Sequence, residues 1–261
     1  MWDKNDKYTF EDFAKIIKIL RSPDGCPWDR EQTHRSIRNE FIEETYEAVD
    51  AIDRDNDTDM CEELGDVMLQ VMLHAQIASE ENAYDITDVI DGIARKMILR
   101  HPHVFGDVKA DTTEQVLENW DKIKRGEKHQ QSYTDTLTSV PMSYPALMRA
   151  QKVQKRAKKV GFDWDDIKEP LAKVAEEHKE LCDAIDSGDS DAIFEEFGDM
   201  LFALVNVSRF LKIDSEEALQ KATDKFITRF ARVEEIALKN GMDMKETPLE
   251  VLDKFWDEAK K

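Results

Sequence analysis

Apolar residues along this chain recur at spacings of three and four, the period of a helix with one buried face. Phe13, Ile16, Ile17 and Leu20 form such a stripe over residues 10–21, and Ser22-Pro23-Asp24-Gly25 stops it. Leu64, Val67, Met68, Val71, Met72 and Ala75 form another over 59–80, after a helix expected over 33–54 and a turn at Asp55-Asn56-Asp57-Thr58. Asp85 or Thr87 caps a further helix that runs to Arg100, ahead of Pro102. A helix over 112–128 closes the first half. Cys26-Pro27-Trp28-Asp29 reads as a loop.

Leu147, Ala150, Val153 and Ala157 restart the rhythm, and Gly161-Phe162-Asp163-Trp164-Asp165 interrupts it. Helices are then expected over 169–187, 190–211, 215–240 and 248–260, the last capped by Thr247 with Pro248 at its first position. No stretch sustains strand alternation. The expected fold is all-α, in two tandem copies of a four- to five-helix bundle: residues 1–128, a linker at 129–146, and 147–261.

The two copies are visible in the polar positions. Glu43-Glu44-Thr45-Tyr46-Glu47 and Glu62-Glu63-Leu64-Gly65-Asp66 return as Glu176-Glu177-His178-Lys179-Glu180 and Glu195-Glu196-Phe197-Gly198-Asp199. The offset is constant, since 176 − 43 and 199 − 66 both equal 133. Trp28-Asp29 matches Trp164-Asp165. Lys96 and Arg100 match Lys225 and Arg229, and Trp120 and Lys124 match Trp256 and Lys260.

Residues three or four apart share a helix face, so Glu177 and Glu180 point together, as do Glu196 and Asp199 on the next helix. A short turn makes those helices antiparallel neighbours on which four carboxylates converge, as Glu44, Glu47, Glu63 and Asp66 do in the first copy. Ligation by oxygen alone selects a hard cation, Mg²⁺ with Mn²⁺ as substitute. Gly198 is expected to let the paired helix approach. Lys225, Arg229 and Lys260 suit a polyphosphate whose charge is shared between metal and cations. Lys173, one turn before Glu177, lies on the same face, and at that position the first copy has Glu40. His34 reads as a capping or surface residue.

Composition narrows the partners. Asp plus Glu number 57 against 37 Lys plus Arg, a formal net charge of −20, and no long basic run offsets it. Nucleic acid and anionic membranes are therefore not expected partners. Cys26, Cys61 and Cys182 form no Cys-x-x-Cys pair, which fits reduced thiols in a cytoplasmic protein, with Cys61 and Cys182 as packing residues. The N-terminal residues carry no apolar signal core.

The chain resembles the MazG family of nucleoside triphosphate pyrophosphohydrolases over nearly its whole length. The resemblance rests on Gly25-Cys26-Pro27-Trp28-Asp29, both acidic sets, His101-Pro102-His103-Val104-Phe105, Arg149-Ala150-Gln151-Lys152 and Gly161-Phe162-Asp163-Trp164. It implies an all-α, Mg²⁺-dependent, dimeric hydrolase that cleaves nucleoside triphosphates to monophosphates and pyrophosphate, with broad base specificity. It further implies that Glu177, Glu180, Glu196 and Asp199 ligate metal. Lys173, Lys225, Arg229, Trp256 and Lys260 would contact nucleotide, with Lys96, Arg100, Trp120 and Lys124 as their first-copy matches. The first glutamate of each pair, Glu176 or Glu43, would activate water. A non-catalytic metal- or nucleotide-binding module is the other reading. A di-iron bundle would need a Glu-x-x-His on each of two helices, which the acidic sets lack, and no Gly-x-x-x-x-Gly-Lys-Ser/Thr loop is present.

Overall fold

The computed structural model describes residues 7–127 and 132–260, so the first six residues and part of the expected linker lie outside the described residues. Among the described residues there are thirteen helices and no strand. The chain divides into two compact units, Met1–Lys124 and Arg125–Lys261.

Unit 1 holds α1 (Phe10–Leu20), α2 (Pro27–Glu31), α3 (Arg38–Asp53), α4 (Asp57–Glu80), α5 (Ile86–Arg100), α6 (Pro102–Phe105) and most of α7 (Thr113–Glu127). Helix α1 begins in a reciprocal capping box between Thr9 and Asp12. Ile17 from α1, Ile37, and Met72, Leu73 and Ile77 from α4 make its buried core. Arg21, at the end of α1, donates to both carboxylate oxygens of Glu80 and so ties α1 to the far end of α4. The turn after α1 needs Gly25, because a Cβ there would lie 2.2 Å from the Ile19 carbonyl oxygen. The next residues are not the expected loop: Pro27, with φ already set and no N–H to satisfy, starts the short helix α2.

Unit 2 holds α8 (Tyr133–Thr138), α9 (Ala146–Lys158), α10 (Lys168–Ser187), α11 (Ser190–Phe210), α12 (Ser215–Lys239) and α13 (Leu249–Ala259). The segment expected to be linker thus contains α8. Arg156 of α9 donates to the Thr136 carbonyl and to Ser139 Oγ, fastening α8 to α9. Two buried glutamines fasten α9 in turn to α11 and to the bend after it: Gln154 Nε2 donates to the Phe202 carbonyl and Gln151 Nε2 to that of Ile213. This gives the Arg149-Ala150-Gln151-Lys152 stretch a structural use. The start of α13 also differs from expectation. Thr247 Oγ1 donates back to the Asp243 carbonyl, and Pro248 occupies the cap position, so the helix begins at Leu249.

The repeat extends into backbone conformation. Gly188 closes α10 with φ 73°, and Asp55, at the same offset of 133, ends the α3 turn with φ 51°. Asn56 and Asp189 then cap α4 and α11, each accepting two backbone N–H bonds. Helix pairs α3–α4 and α10–α11 are therefore the same hairpin made twice, and each is the most extensive helix contact in its unit.

The interruption Gly161–Trp164 is held by a buried ion pair. Arg209 donates to both oxygens of Asp163, which also lies 3.3 Å from Lys158 Nζ. The side chains of Arg209 and Asp163 are only 4% and 11% exposed. Burial by itself would raise the Asp163 carboxyl, but the bonds from Arg209 and Lys158 outweigh it and leave the group below its ordinary value. The contribution of Asp163 is thus present at neutral pH and lost as pH falls through its lowered value. Removing one partner strands a buried charge, so Asp163→Ala is expected to destabilise unit 2 by about 3–5 kcal/mol. Urea unfolding followed by circular dichroism measures this, and a loss under about 1 kcal/mol would show that water compensates Arg209.

Candidate metal centre

The two hairpins carry the acidic sets. In unit 2, carboxylate oxygens of Glu177 from α10 and of Glu196 and Asp199 from α11 all lie within 4.8 Å of one another. In unit 1 the same holds for Glu44 from α3 and for Glu63 and Asp66 from α4. The structure therefore brings together three of the four expected ligands in each copy. Glu180 and Glu47 stay at the edge, near enough for their charges to act on the groups inside.

The spacing explains the geometry. Glu196 and Asp199 are three apart and face α10 from one turn of helix. Glu177, 4% exposed, is the buried member of the three, with Glu196 half-buried and Asp199 exposed. Gly198 does not serve the expected close approach, because a Cβ there would meet nothing within 4 Å.

Like charge shapes both clusters. Burial raises Glu196 above the ordinary carboxylate range, and the charges of Glu180, Glu177, Asp199 and Glu195 raise it further. Glu63 is raised by burial and by Glu47, Asp66, Glu62 and Glu44. Glu44 is raised by burial and by Asp66, Glu47 and Glu43. Each folded cluster thus holds protons more readily than the unfolded chain. The stability tied to that protonation is present at low pH and is lost as pH rises through the raised values. At neutral pH the clusters are strained by like charge, which a divalent cation relieves. An all-carboxylate donor set of this kind fits a hard cation.

The neighbouring cations divide into two groups. Lys173 Nζ lies 2.8 Å from Glu176 Oε1 and 2.5 Å from Glu177 Oε1, and these bonds push the Lys173 ammonium well up. It therefore joins the first glutamate of the pair to the buried cluster member. In unit 1 the corresponding Glu40 makes no such pair, and its Oε2 is buried without a hydrogen-bond partner among the described residues. Lys225 and Arg229 are on α12, Trp256 is on α13 and Lys260 follows it, and the contacts of Arg229 and Lys260 are with α13 and not with the cluster. Arg229 stands over the Trp256 ring at 6.0 Å, with Phe226 packed on the same ring at 5.1 Å. Lys260 turns to Asp257 instead. In unit 1, Arg100 and Lys124 both stand over Trp120, at 5.3 and 4.5 Å, and Lys96 is exposed on α5. Helix α12 packs mainly on α13, with α9 and α11 next.

A profile of the MazG nucleotide pyrophosphohydrolase domain matches residues 32–105 and 166–233, segments that contain both hairpins. The nucleoside triphosphate pyrophosphohydrolase/pyrophosphatase MazG of Thermotoga maritima is 47% identical over 96% of this chain and 95% of its own length. The chain belongs to the MazG family. The nucleoside triphosphate pyrophosphohydrolase of Escherichia coli K12 is 43% identical over 94% of this chain and 95% of its own length. YabN of Bacillus subtilis is 50% identical over 97% of this chain but only 52% of that longer protein.

Three residues behave differently from their sequence reading. Cys61 and Cys182 are exposed rather than packed. His34 neither caps nor lies free on the surface: its ring stacks on His74, with the two Nδ1 atoms 2.7 Å apart. An unpaired histidine in a turn gave no signal of this, because its partner lies 40 residues away on another helix.

Thermal unfolding tests the cluster as a metal site. Saturating Mg²⁺ should raise the wild-type Tm, with a hundredfold excess over Kd corresponding to about 2.7 kcal/mol. Glu196→Gln removes one repelled charge and one ligand. Its metal-free Tm should match or exceed wild type, and its gain on Mg²⁺ should shrink. A full Mg²⁺ gain in Glu196→Gln would remove Glu196 from the ligand set.

Proposed function

We propose that this chain is a Mg²⁺-dependent nucleoside triphosphate pyrophosphohydrolase, converting nucleoside triphosphate and water to nucleoside monophosphate and pyrophosphate. The observation that carries the reading is the converging triad Glu177, Glu196 and Asp199, built on a hairpin that the MazG domain profile covers. The names of the relatives from Thermotoga maritima and Escherichia coli agree with it.

Glu177, Glu196 and Asp199 would hold the metal, with Glu180 as a fourth ligand drawn in from the edge. Bound there, Mg²⁺ supplies charge neutralisation for phosphate oxygens and for the leaving pyrophosphate. The remaining work falls to side chains. Glu176, beside the cluster but outside it, accepts the proton of the attacking water. Lys173 holds Glu176 against Glu177 until a phosphate offers it a stronger partner. Lys225 and Arg229 balance triphosphate charge, and Trp256 offers a ring on which any base can stack, which favours broad base specificity. Glu44, Glu47, Glu63 and Asp66 would bind metal in unit 1, with Glu43 in the place of Glu176.

Exposed apolar stripes favour a dimer. Helix α12 exposes Leu219, Phe226, Ile227 and Phe230, and α5 exposes Ile90, Ile93 and Met97, stripes that a second copy would cover. The three free cysteines suit the cytoplasm, where thiols stay reduced.

The two units are proposed to be unequal, because unit 2 has Lys173 where unit 1 has the unpartnered Glu40. Pyrophosphate release from a nucleoside triphosphate, with and without Mg²⁺, tests both points. Glu177→Gln/Glu180→Gln should lose nearly all turnover, and Glu44→Gln/Glu47→Gln should keep most of it. The opposite order would make unit 1 the working copy. Mg²⁺-saturated wild type without pyrophosphate release would leave a binding module.

A further inference from the structure

Unit 1 contains a pocket of about 400 Å³ that shares no residue with the carboxylate cluster of that unit. Its size falls within the range of small-molecule sites, about 300–1,000 Å³. His34, Arg38, Phe41, His74 and Tyr84 line it, and the rest of the lining is aliphatic. No carboxylate is among the lining residues, although acids outnumber bases by 57 to 37 in the whole chain. An anion excluded from most of this surface is not excluded here.

The polar groups are arranged, not scattered. The His34 and His74 rings are parallel, with centroids 5.0 Å apart and planes 7° apart. Their Nδ1 atoms are 2.7 Å apart, so one must donate and the other accept. The pair can carry one shared proton in this geometry, whereas a second would break the bond. Phe41 packs on His74 edge-to-face, with ring centroids 5.8 Å apart. Burial and the charge of His34 hold His74 below the ordinary histidine value, a cost that an anion in the pocket would offset. Arg38 and Tyr84 are the other titratable groups in the lining.

The duplication supplies a control within the molecule. At the offset of 133, unit 2 has Ile167, Leu171 and Val207 in place of His34, Arg38 and His74. Both copies keep the carboxylates, yet only the first has two histidines and an arginine at these three positions. A requirement of packing alone would be met by the aliphatic set, as unit 2 shows.

We propose that this pocket binds a nucleoside monophosphate, with its phosphate on Arg38 and the His34–His74 pair and its base against Phe41 and Tyr84. Aromatic rings beside an arginine and a histidine pair call for an aromatic phosphomonoester. The choice of a nucleotide among such esters rests on the hydrolase reading above, since that reaction makes one. The pocket would let unit 1 sense the product of unit 2.

Calorimetric titration of the full chain with AMP, in chelator and without divalent metal, tests the site without calling on turnover. Wild type should bind one AMP per chain at about pH 6. His34→Ile/His74→Val, which installs the unit 2 residues, should weaken binding at about pH 6 by about tenfold or more. Arg38→Gln, an exposed substitution, should do the same and stands in if the double variant fails to fold. Adenosine and inorganic phosphate, titrated separately, should each bind about tenfold more weakly than AMP or worse. No saturable AMP binding by wild type at about pH 6 would overturn the proposal, as would undiminished binding in a folded variant. Equal affinity for either fragment would overturn the nucleotide assignment. Pyrophosphate release that persists alongside absent AMP binding would sink this site and leave the hydrolase reading intact.

Discussion

Mutual repulsion among carboxylates is the constraint around which each unit is built. Glu177, Glu196 and Asp199 are held with oxygens within 4.8 Å, as are Glu44, Glu63 and Asp66. Flexible surface acids would relax apart. These are fixed because they project from two helices joined by a turn with its own determinants: a left-handed residue at Gly188 or Asp55, then a cap at Asp189 or Asn56. The hairpin thereby stores an unfavourable charge arrangement that becomes favourable once a cation is shared.

Around that common device the copies diverge. Lys173 pairs with Glu176 and Glu177 in unit 2, while the Glu40 oxygen in unit 1 is buried with no partner among the described residues. The aliphatic Ile167, Leu171 and Val207 of unit 2 stand where unit 1 has a histidine pair and an arginine. Two domains of one origin with the same carboxylates and different neighbours are suited to different tasks. Turnover and ligand sensing are the division proposed for them.

Much of this is legible in the sequence, for a physical reason. Helical periodicity and the 133-residue offset are local or repeated signals, so the hairpins, their turns and six of the cluster carboxylates can be read directly. Glu47 and Glu180 cannot be separated from the others, because sharing a helix face does not fix reach across to the next helix. Lys173 is legible as a residue on the carboxylate face because i, i+4 geometry is local. The His34–His74 pair is not, since it depends on how the turn before α3 meets α4. Pro27 and Pro248 mislead by a few residues at helix starts, where the fixed φ of proline serves a cap or a first turn equally well.

If the hairpin carboxylates are what they are read to be, each unit offers a divalent cation site of its own. Electron paramagnetic resonance of free Mn²⁺, titrated against the full chain, counts those sites directly. At least two bound Mn²⁺ per chain are expected, with sites lost from unit 2 alone in Asp199→Asn and from unit 1 alone in Asp66→Asn. A chain that binds no Mn²⁺, or whose Mn²⁺ count is unmoved by either substitution, would contradict this.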